Sequence, residues 1–259
     1  MPTAAAARQR EDLRGCVAVR GNAGWRPGES AAARQCATCN LHEACFALCP
    51  RALEPIGVIP RRFAKGDSLF RPGDPFTALY MIRAGSWKTL LLTENGREQV
   101  AAFHLRGEFI GVDGIGVASH HCEAIALEDS EVCAMPYQRL EALSRRDGDV
   151  QRALYGLLAS ETRRQHGVML MLGTMRSEQR LAAFLLDLSR RQRDLGDPVT
   201  ILQLRMTRDE IGSYVGLKLE TVSRLFSHLQ QLGLLQVEGR TVKLLDIRGL
   251  ERVVASGAQ

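Results

Sequence analysis

Thr207-Arg208-Asp209-Glu210-Ile211-Gly212-Ser213-Tyr214-Val215-Gly216-Leu217-Lys218-Leu219-Glu220-Thr221-Val222-Ser223-Arg224 reads as two helices joined by a tight turn. Thr207 and Glu210 have the spacing of a capping box: the hydroxyl accepts from a free amide while the carboxylate reaches back to the cap. Ile211, Tyr214 and Val215 supply the buried face of the first helix. Gly216-Leu217 makes the turn, because glycine tolerates the left-handed backbone that ends a helix. The second helix is predicted from about Lys218 to Leu232 and closes at Gly233.

Working outward toward the C-terminus, Leu235 to Val237, Glu238-Gly239-Arg240 and Thr241 to Leu245 form a predicted β-hairpin. Helix, glycine turn, helix and hairpin together describe a winged DNA-binding unit. Glu220, Ser223 and Arg224 fall at i, i+3 and i+4, on one face of the second helix. Glutamate accepts from a cytosine amino group, arginine forks onto guanine O6 and N7, and serine serves either. Thr221 joins this candidate set, and Arg240 at the hairpin tip suits a phosphate. The same face also suits a solvated intrahelical Glu220–Arg224 pair. The capping box, glycine turn and hairpin around it favour the DNA reading.

Upstream, a helix is predicted from about Ser177 to Arg193, a boundary at Gly196-Asp197-Pro198 and a strand at Val199 to Leu204. A long helix covers about Asp149 to Met175. Its apolar residues Leu154, Leu157, Leu158, Val168, Met169, Leu172 and Met175 recur at three- and four-residue steps. Such a stripe suits a dimer seam or packing on its own chain, and the polar run Glu161 to His166 interrupts it. Tyr137 to Arg145 is a shorter helix. From about Pro60 to Pro136, turn signals every ten residues or so separate short apolar runs: Leu79 to Arg83, Trp87 to Thr93, Gln99 to Leu105. That rhythm predicts an antiparallel barrel or roll. The fold expected is therefore α+β: an N-terminal antiparallel β-roll, a long helix and a C-terminal winged helix-turn-helix. The predicted divisions are a disordered segment 1–34, a cysteine-rich segment 35–59, a roll 60–146, a dimerisation helix 147–176 and a DNA-binding domain 177–259.

At 259 residues the chain accommodates two cores, and only 5% aromatic residues means aliphatic packing must dominate them. A net charge of +5 agrees with a nucleic-acid partner without establishing one. Neither a membrane-spanning run nor the apolar core of a secretory signal is found, so a cytoplasmic location and no membrane partner are expected. In a reducing compartment the seven cysteines are better read as ligands or thiols than as disulfides.

Cys36, Cys39 and Cys45 stand in a C-x2-C-x5-C pattern. A cubane iron–sulfur cluster takes four thiolates, and a two-residue spacing lets neighbours reach adjacent irons. The fourth must come from elsewhere. Cys133 and Cys122 compete for that role, and Cys49, which precedes Pro50, competes with Cys45. Cys16 reads as a free thiol. A tetrahedral zinc site fits the same spacing, and His42, His120 and His121 are conceivable additions to it, though surface imidazoles suit them better. Catalysis finds no support: there is no G-x-S-x-G, H-E-x-x-H or P-loop. An iron–sulfur electron carrier or enzyme is a more distant alternative, with no use for a winged helix-turn-helix.

The chain resembles the cyclic-AMP receptor protein superfamily, and within it the branch of the fumarate and nitrate reduction regulator (FNR). The resemblance covers about residues 36 to 250. It is carried by Cys36, Cys39, Cys45, Gly107-Glu108-Phe109-Ile110-Gly111, the strand Glu128 to Pro136 with Cys133, and Thr207 to Arg224. It implies a homodimeric, oxygen- or redox-responsive transcription regulator. It also implies a [4Fe–4S] cluster on Cys36, Cys39, Cys45 and Cys133, lost or converted by oxygen. A palindrome of the TTGAT-N4-ATCAA kind, read through E-x-x-S-R, and RNA polymerase as a further partner are implied as well. Ser223 stands where the cyclic-AMP branch usually carries Gly, and Leu219 where it carries Arg. From Gly107 to Gln138 there is no Lys or Arg to pair a cyclic phosphate, while Glu108, Asp113, Glu123, Glu128, Asp129 and Glu131 crowd the stretch. Cyclic AMP is not expected to bind.

Overall fold

The computed structural model of the chain describes residues 57–93 and 95–256. Among the described residues, eight strands form the roll: β1 (Ile59–Phe63), β2 (Ser68–Phe70), β3 (Ala78–Ala84), β4 (Trp87–Leu92), β5 (Glu98–His104), β6 (Phe109–Ile110), β7 (Glu123–Ala126) and β8 (Ser130–Pro136). They make two four-stranded sheets, ordered β1-β8-β3-β6 and β2-β7-β4-β5. Every pairing is antiparallel.

Strand period decides which residues share a core. Along β3, Ala78, Tyr80 and Ile82 point between the sheets with Phe70, Trp87 and Val132. Leu79 and Met81 point the other way and join Met135, Leu140, Val150 and Leu154. The first sheet is thus buried on both faces, by its partner sheet and by two helices. Those helices are α1 (Tyr137–Ser144) and α2 (Gly148–Thr174). Asp147 starts α2: its carboxylate accepts from the Asp149 amide at 2.9 Å and the Val150 amide at 3.3 Å.

The apolar stripe of α2 is largely engaged by its own chain. Leu154 and Leu157 pack on the roll, and Val168, Leu172 and Met175 pack on the C-terminal core. Met169 is 68% exposed, together with Tyr155 at 60% and Leu170 at 58%.

The C-terminal part comprises α3 (Ser177–Asp194), β9 (Ile201–Gln203), α4 (Arg208–Val215), α5 (Leu219–Gln231), β10 (Leu235–Glu238), β11 (Thr241–Leu244) and α6 (Ile247–Ala255). The strands form a sheet ordered β10-β11-β9. One hydrophobic cluster spans both parts, joining Leu90, Val100, Phe103 and Leu127 of the roll to Leu181, Phe184, Ile211, Tyr214, Val222 and Phe226. Helix α6 was not expected. Its cap is Asp246, which accepts from the Gly249 amide at 2.8 Å, and Leu250 is fully buried beneath it. The signal was present as an Asp followed by apolar residues at 250, 253 and 254.

Candidate DNA interface and cysteine site

The capping box of α4 is complete: the Glu210 amide donates to Thr207 Oγ1 at 3.2 Å, and the Thr207 amide donates to Glu210 Oε2 at 2.5 Å. Gly216 ends the helix in the left-handed region, at φ 66° and ψ 42°. Gly212, not singled out from the sequence, matters as much. A Cβ there would lie 2.5 Å from the Leu217 carbonyl oxygen, so the tight approach of the turn requires glycine.

Helix α5 is held by Val222, Phe226 and Leu229, each 3% exposed or less, at a helical repeat. The guanidinium of Arg208 lies over the Phe226 ring at 3.3 Å, a contact between two helices that no local pattern encodes. On the opposite face Glu220, Ser223 and Arg224 are exposed, and Thr221 is half-buried at its edge. Among the described residues no ion pair joins Glu220 to Arg224, so the carboxylate and guanidinium both remain available. Arg240 is exposed in the turn between β10 and β11. The face thus presents an acceptor, a hydroxyl and a guanidinium to solvent.

Cys36, Cys39, Cys45, Cys49 and Cys16 lie outside the described residues. Cys133 and Cys122 are both described and both buried, but on different faces of the roll. Cys133, on β8 opposite Pro60 of β1, sits in the helix-facing cluster with Val58, Leu79, Met81 and Met135. Cys122 sits in the inter-sheet cluster. Its thiol hydrogen-bonds the Asp113 carboxylate. Burial first, and then that carboxylate, push the thiol pKa far above the ordinary range.

Asp113 organises the loop between β6 and β7. Its two oxygens accept from the His121 amide at 2.8 Å and face His120 Nδ1 at 3.3 Å. Burial raises the Asp113 pKa, but the hydrogen bonds from His120 and His121 outweigh it and hold the carboxyl below its usual value. His120 stacks on Phe70 with ring centroids 3.5 Å apart. An ionised carboxylate thus occupies a loop that contains no Lys or Arg. Among the described residues no three His, Cys, Asp or Glu side chains converge on a metal-sized site, and no helix there is long and apolar enough to cross a membrane.

Residues 60–147 match the family described as cyclic nucleotide-binding domain, and residues 179–253 match the Crp-like helix-turn-helix domain. The chain is 40% identical to the transcriptional regulatory protein btr of Bordetella pertussis, over 86% of this chain and 94% of that one. It is 37% identical to the fumarate and nitrate reduction regulatory protein of Salmonella typhimurium, over 81% and 86%. The chain belongs to the CRP/FNR family. Among solved structures, FixK2 from Bradyrhizobium japonicum superposes with a TM-score of 0.71 at 31% identity, covering 76% of this chain and 96% of that one. As a CRP/FNR protein this chain is a DNA-binding transcription regulator and not an enzyme. Its fold is the α+β arrangement of roll, long helix and winged helix-turn-helix expected from the sequence.

Proposed function

We propose that this CRP/FNR protein is an oxygen- or redox-responsive regulator of the FNR type, with a [4Fe–4S] cluster held by Cys36, Cys39, Cys45 and Cys133. The observation that carries the proposal is the place of Cys133. Val58, where the chain enters the roll, packs in the same cluster as Cys133. Val58 lies thirteen positions after Cys45, a span that reaches up to about 45 Å when extended. The chain between them is long enough for the N-terminal cysteines to reach Cys133. Cys122 fits poorly, because burial and then the Asp113 carboxylate oppose the thiolate that a metal requires. The chemistry a bound cluster supplies is a redox-sensitive link between the N-terminal segment and the roll.

The residues of this chain do the rest. Leu79, Met81 and Met135 shield the Cys133 side of β8 from water, and α2, which packs on the same cluster, continues to the DNA end. Tyr155, Met169 and Leu170 give α2 an uncovered apolar face suited to a second copy of the chain. Two recognition helices then meet a palindrome of the TTGAT-N4-ATCAA kind through Glu220, Thr221, Ser223 and Arg224, with Arg240 on phosphate. RNA polymerase is the further partner, and the cytoplasm the location. Cyclic AMP is no ligand of this roll, since residues 107–138 supply no Lys or Arg to pair its phosphate.

The test is anaerobic purification followed by the visible spectrum and by iron and acid-labile sulfide analysis. About four irons and four sulfides per chain, lost in air together with palindrome binding, are expected. Zinc without sulfide would replace this reading with a zinc-based regulator of the same fold. Saturable calorimetric binding of cyclic AMP at micromolar concentration would overturn the ligand assignment.

A further inference from the structure

Strand β5 is the outer strand of its sheet, and an outer strand leaves backbone donors and acceptors without sheet partners. Here the uncovered edge is met by α4, the first helix of the helix-turn-helix. The Val100 amide donates to Ser213 Oγ at 2.9 Å, and the Gln99 side chain donates to the Ser213 carbonyl. On the neighbouring strand, Lys88 Nζ reaches Glu210 Oε1 at 2.7 Å, with the two side chains only 16% and 19% exposed. Phe103 of β5 packs its ring on Tyr214 of α4 at 5.3 Å. These contacts bridge more than a hundred residues of sequence.

We infer that this clasp between β4–β5 and α4 is a positioning device for DNA binding. It fixes the direction in which the recognition helix leaves the roll, and so sets the half-site spacing that the protein accepts. The inference rests on the chain being a DNA-binding regulator. Three features assign the clasp a favouring role. It grips α4 on the faces turned to the roll and leaves Glu220, Ser223 and Arg224 exposed on α5, so groove entry does not require it to open. Glu210 serves two structures at once: one oxygen caps α4 and the other holds Lys88, which ties the helix start rigidly to the sheet. Gly212 and Gly216 then fix α5 relative to α4 through the tight turn. A reading head oriented before DNA arrives loses less orientational freedom on binding than one swinging from the α2–α3 joint.

Lys88 and Ser213 are the residues to change. Glu210 also caps the helix, so its loss would confound positioning with folding. The measurement is anisotropy titration of full-length, anaerobically prepared protein with two duplexes, TTGAT-N4-ATCAA and the same half-sites with two extra central base pairs. Lys88→Met and Ser213→Ala should each weaken binding to the first duplex about tenfold or somewhat less, the loss expected from one partly buried hydrogen bond or ion pair. The double variant should also narrow the gap between the two duplexes. Simple destabilisation of the winged domain would weaken both duplexes alike and leave the gap unchanged. Lys88→Arg should restore the wild-type preference. Amide exchange in α4 should quicken in the double variant while β3 and β8 stay protected. Unchanged affinity and spacing preference in the double variant would overturn the inference. So would tighter binding, which would make the clasp a restraint on DNA binding. If wild-type protein binds neither duplex, the DNA site assignment fails, and the exchange experiment still reports whether the clasp holds α4.

Discussion

Arg224 and Cys133 occupy opposite surroundings. Arg224 projects from a helix anchored on its other side by Val222, Phe226 and Leu229, so its guanidinium owes nothing to the core. Cys133 is 7% exposed on a strand buried on both faces, among Val58, Met81 and Met135. A residue that must meet a large, wet partner is presented outward, and its substitution changes binding with little effect on folding. A thiol proposed to hold an oxygen-sensitive group is shielded, and its substitution disturbs packing as well as ligation. Experiments at the two ends therefore need different controls.

The largest effect is expected at the shielded end. Cys133→Ser and Cys133→Ala should both abolish bound iron and sulfide, as should Ser at Cys36, Cys39 or Cys45. Cys122→Ser, a change equally buried but on the inter-sheet face, should leave the content unchanged. The alanine variant and a thermal melt separate lost ligation from lost packing. A full cluster in both Cys133 variants, or none in Cys122→Ser, would reverse the assignment of the fourth ligand.

At the exposed end, Arg224→Ala should cost about 1–3 kcal/mol per half-site and relax discrimination at the G·C pair. Arg240→Ala should weaken binding to all sequences alike and reduce the salt slope by about one per protomer. Titrations against the palindrome and a G·C-substituted variant at two salt concentrations distinguish the roles. Full discrimination in Arg224→Ala, or discrimination lost in Arg240→Ala alone, would show that base reading and phosphate contact are assigned to the wrong residues.

The difference between the two ends also governs what the sequence disclosed. The helix-turn-helix was legible because its determinants are local: a cap and its partner three residues on, a glycine at the turn, three polar residues on one face. The roll strands were legible for the same reason, with β4 expected at Trp87 to Thr93 and found at Trp87–Leu92. What joins the parts was not legible. Lys88 stands in an apolar strand next to Trp87, and only the fold brings Glu210 to it. The stripe on α2 had a period but no partner. Packing against the roll and the C-terminal core takes most of it and leaves Met169 for another surface. The cysteine pattern fixes spacing and not metal, because thiolates at these intervals suit iron and zinc alike.

A smaller effect tests the local end. Thr207→Ala removes the hydroxyl that caps α4 and should destabilise the winged domain by about 1 kcal/mol. Thr207→Ser should retain most of it. Chemical denaturation followed by circular dichroism reads the difference, and equal stability of Thr207→Ala and wild type would remove the capping box from the account of this helix.

The smallest effect lies inside the roll. His104 is buried on β5, 3.3 Å from Thr89 Oγ1. Burial is the main cause that lowers its pKa well below the ordinary imidazole value, and the charges of Arg164 and Arg191 add to it. The folded protein thus keeps His104 neutral, while the unfolded chain protonates it as pH falls through about 6.5. Protons then favour the unfolded state. Stability contributed by this site is complete above that pH, falls as pH drops below it, and stops falling only below the depressed folded pKa. Between about pH 7.5 and about pH 6 the loss should be no more than ~1 kcal/mol. His104→Asn keeps a partner for Thr89 and cannot titrate, so its stability should vary less over that range. If the variant follows the wild-type pH profile, the acid sensitivity of the roll originates at other groups and His104 takes up protons equally in the folded and unfolded states.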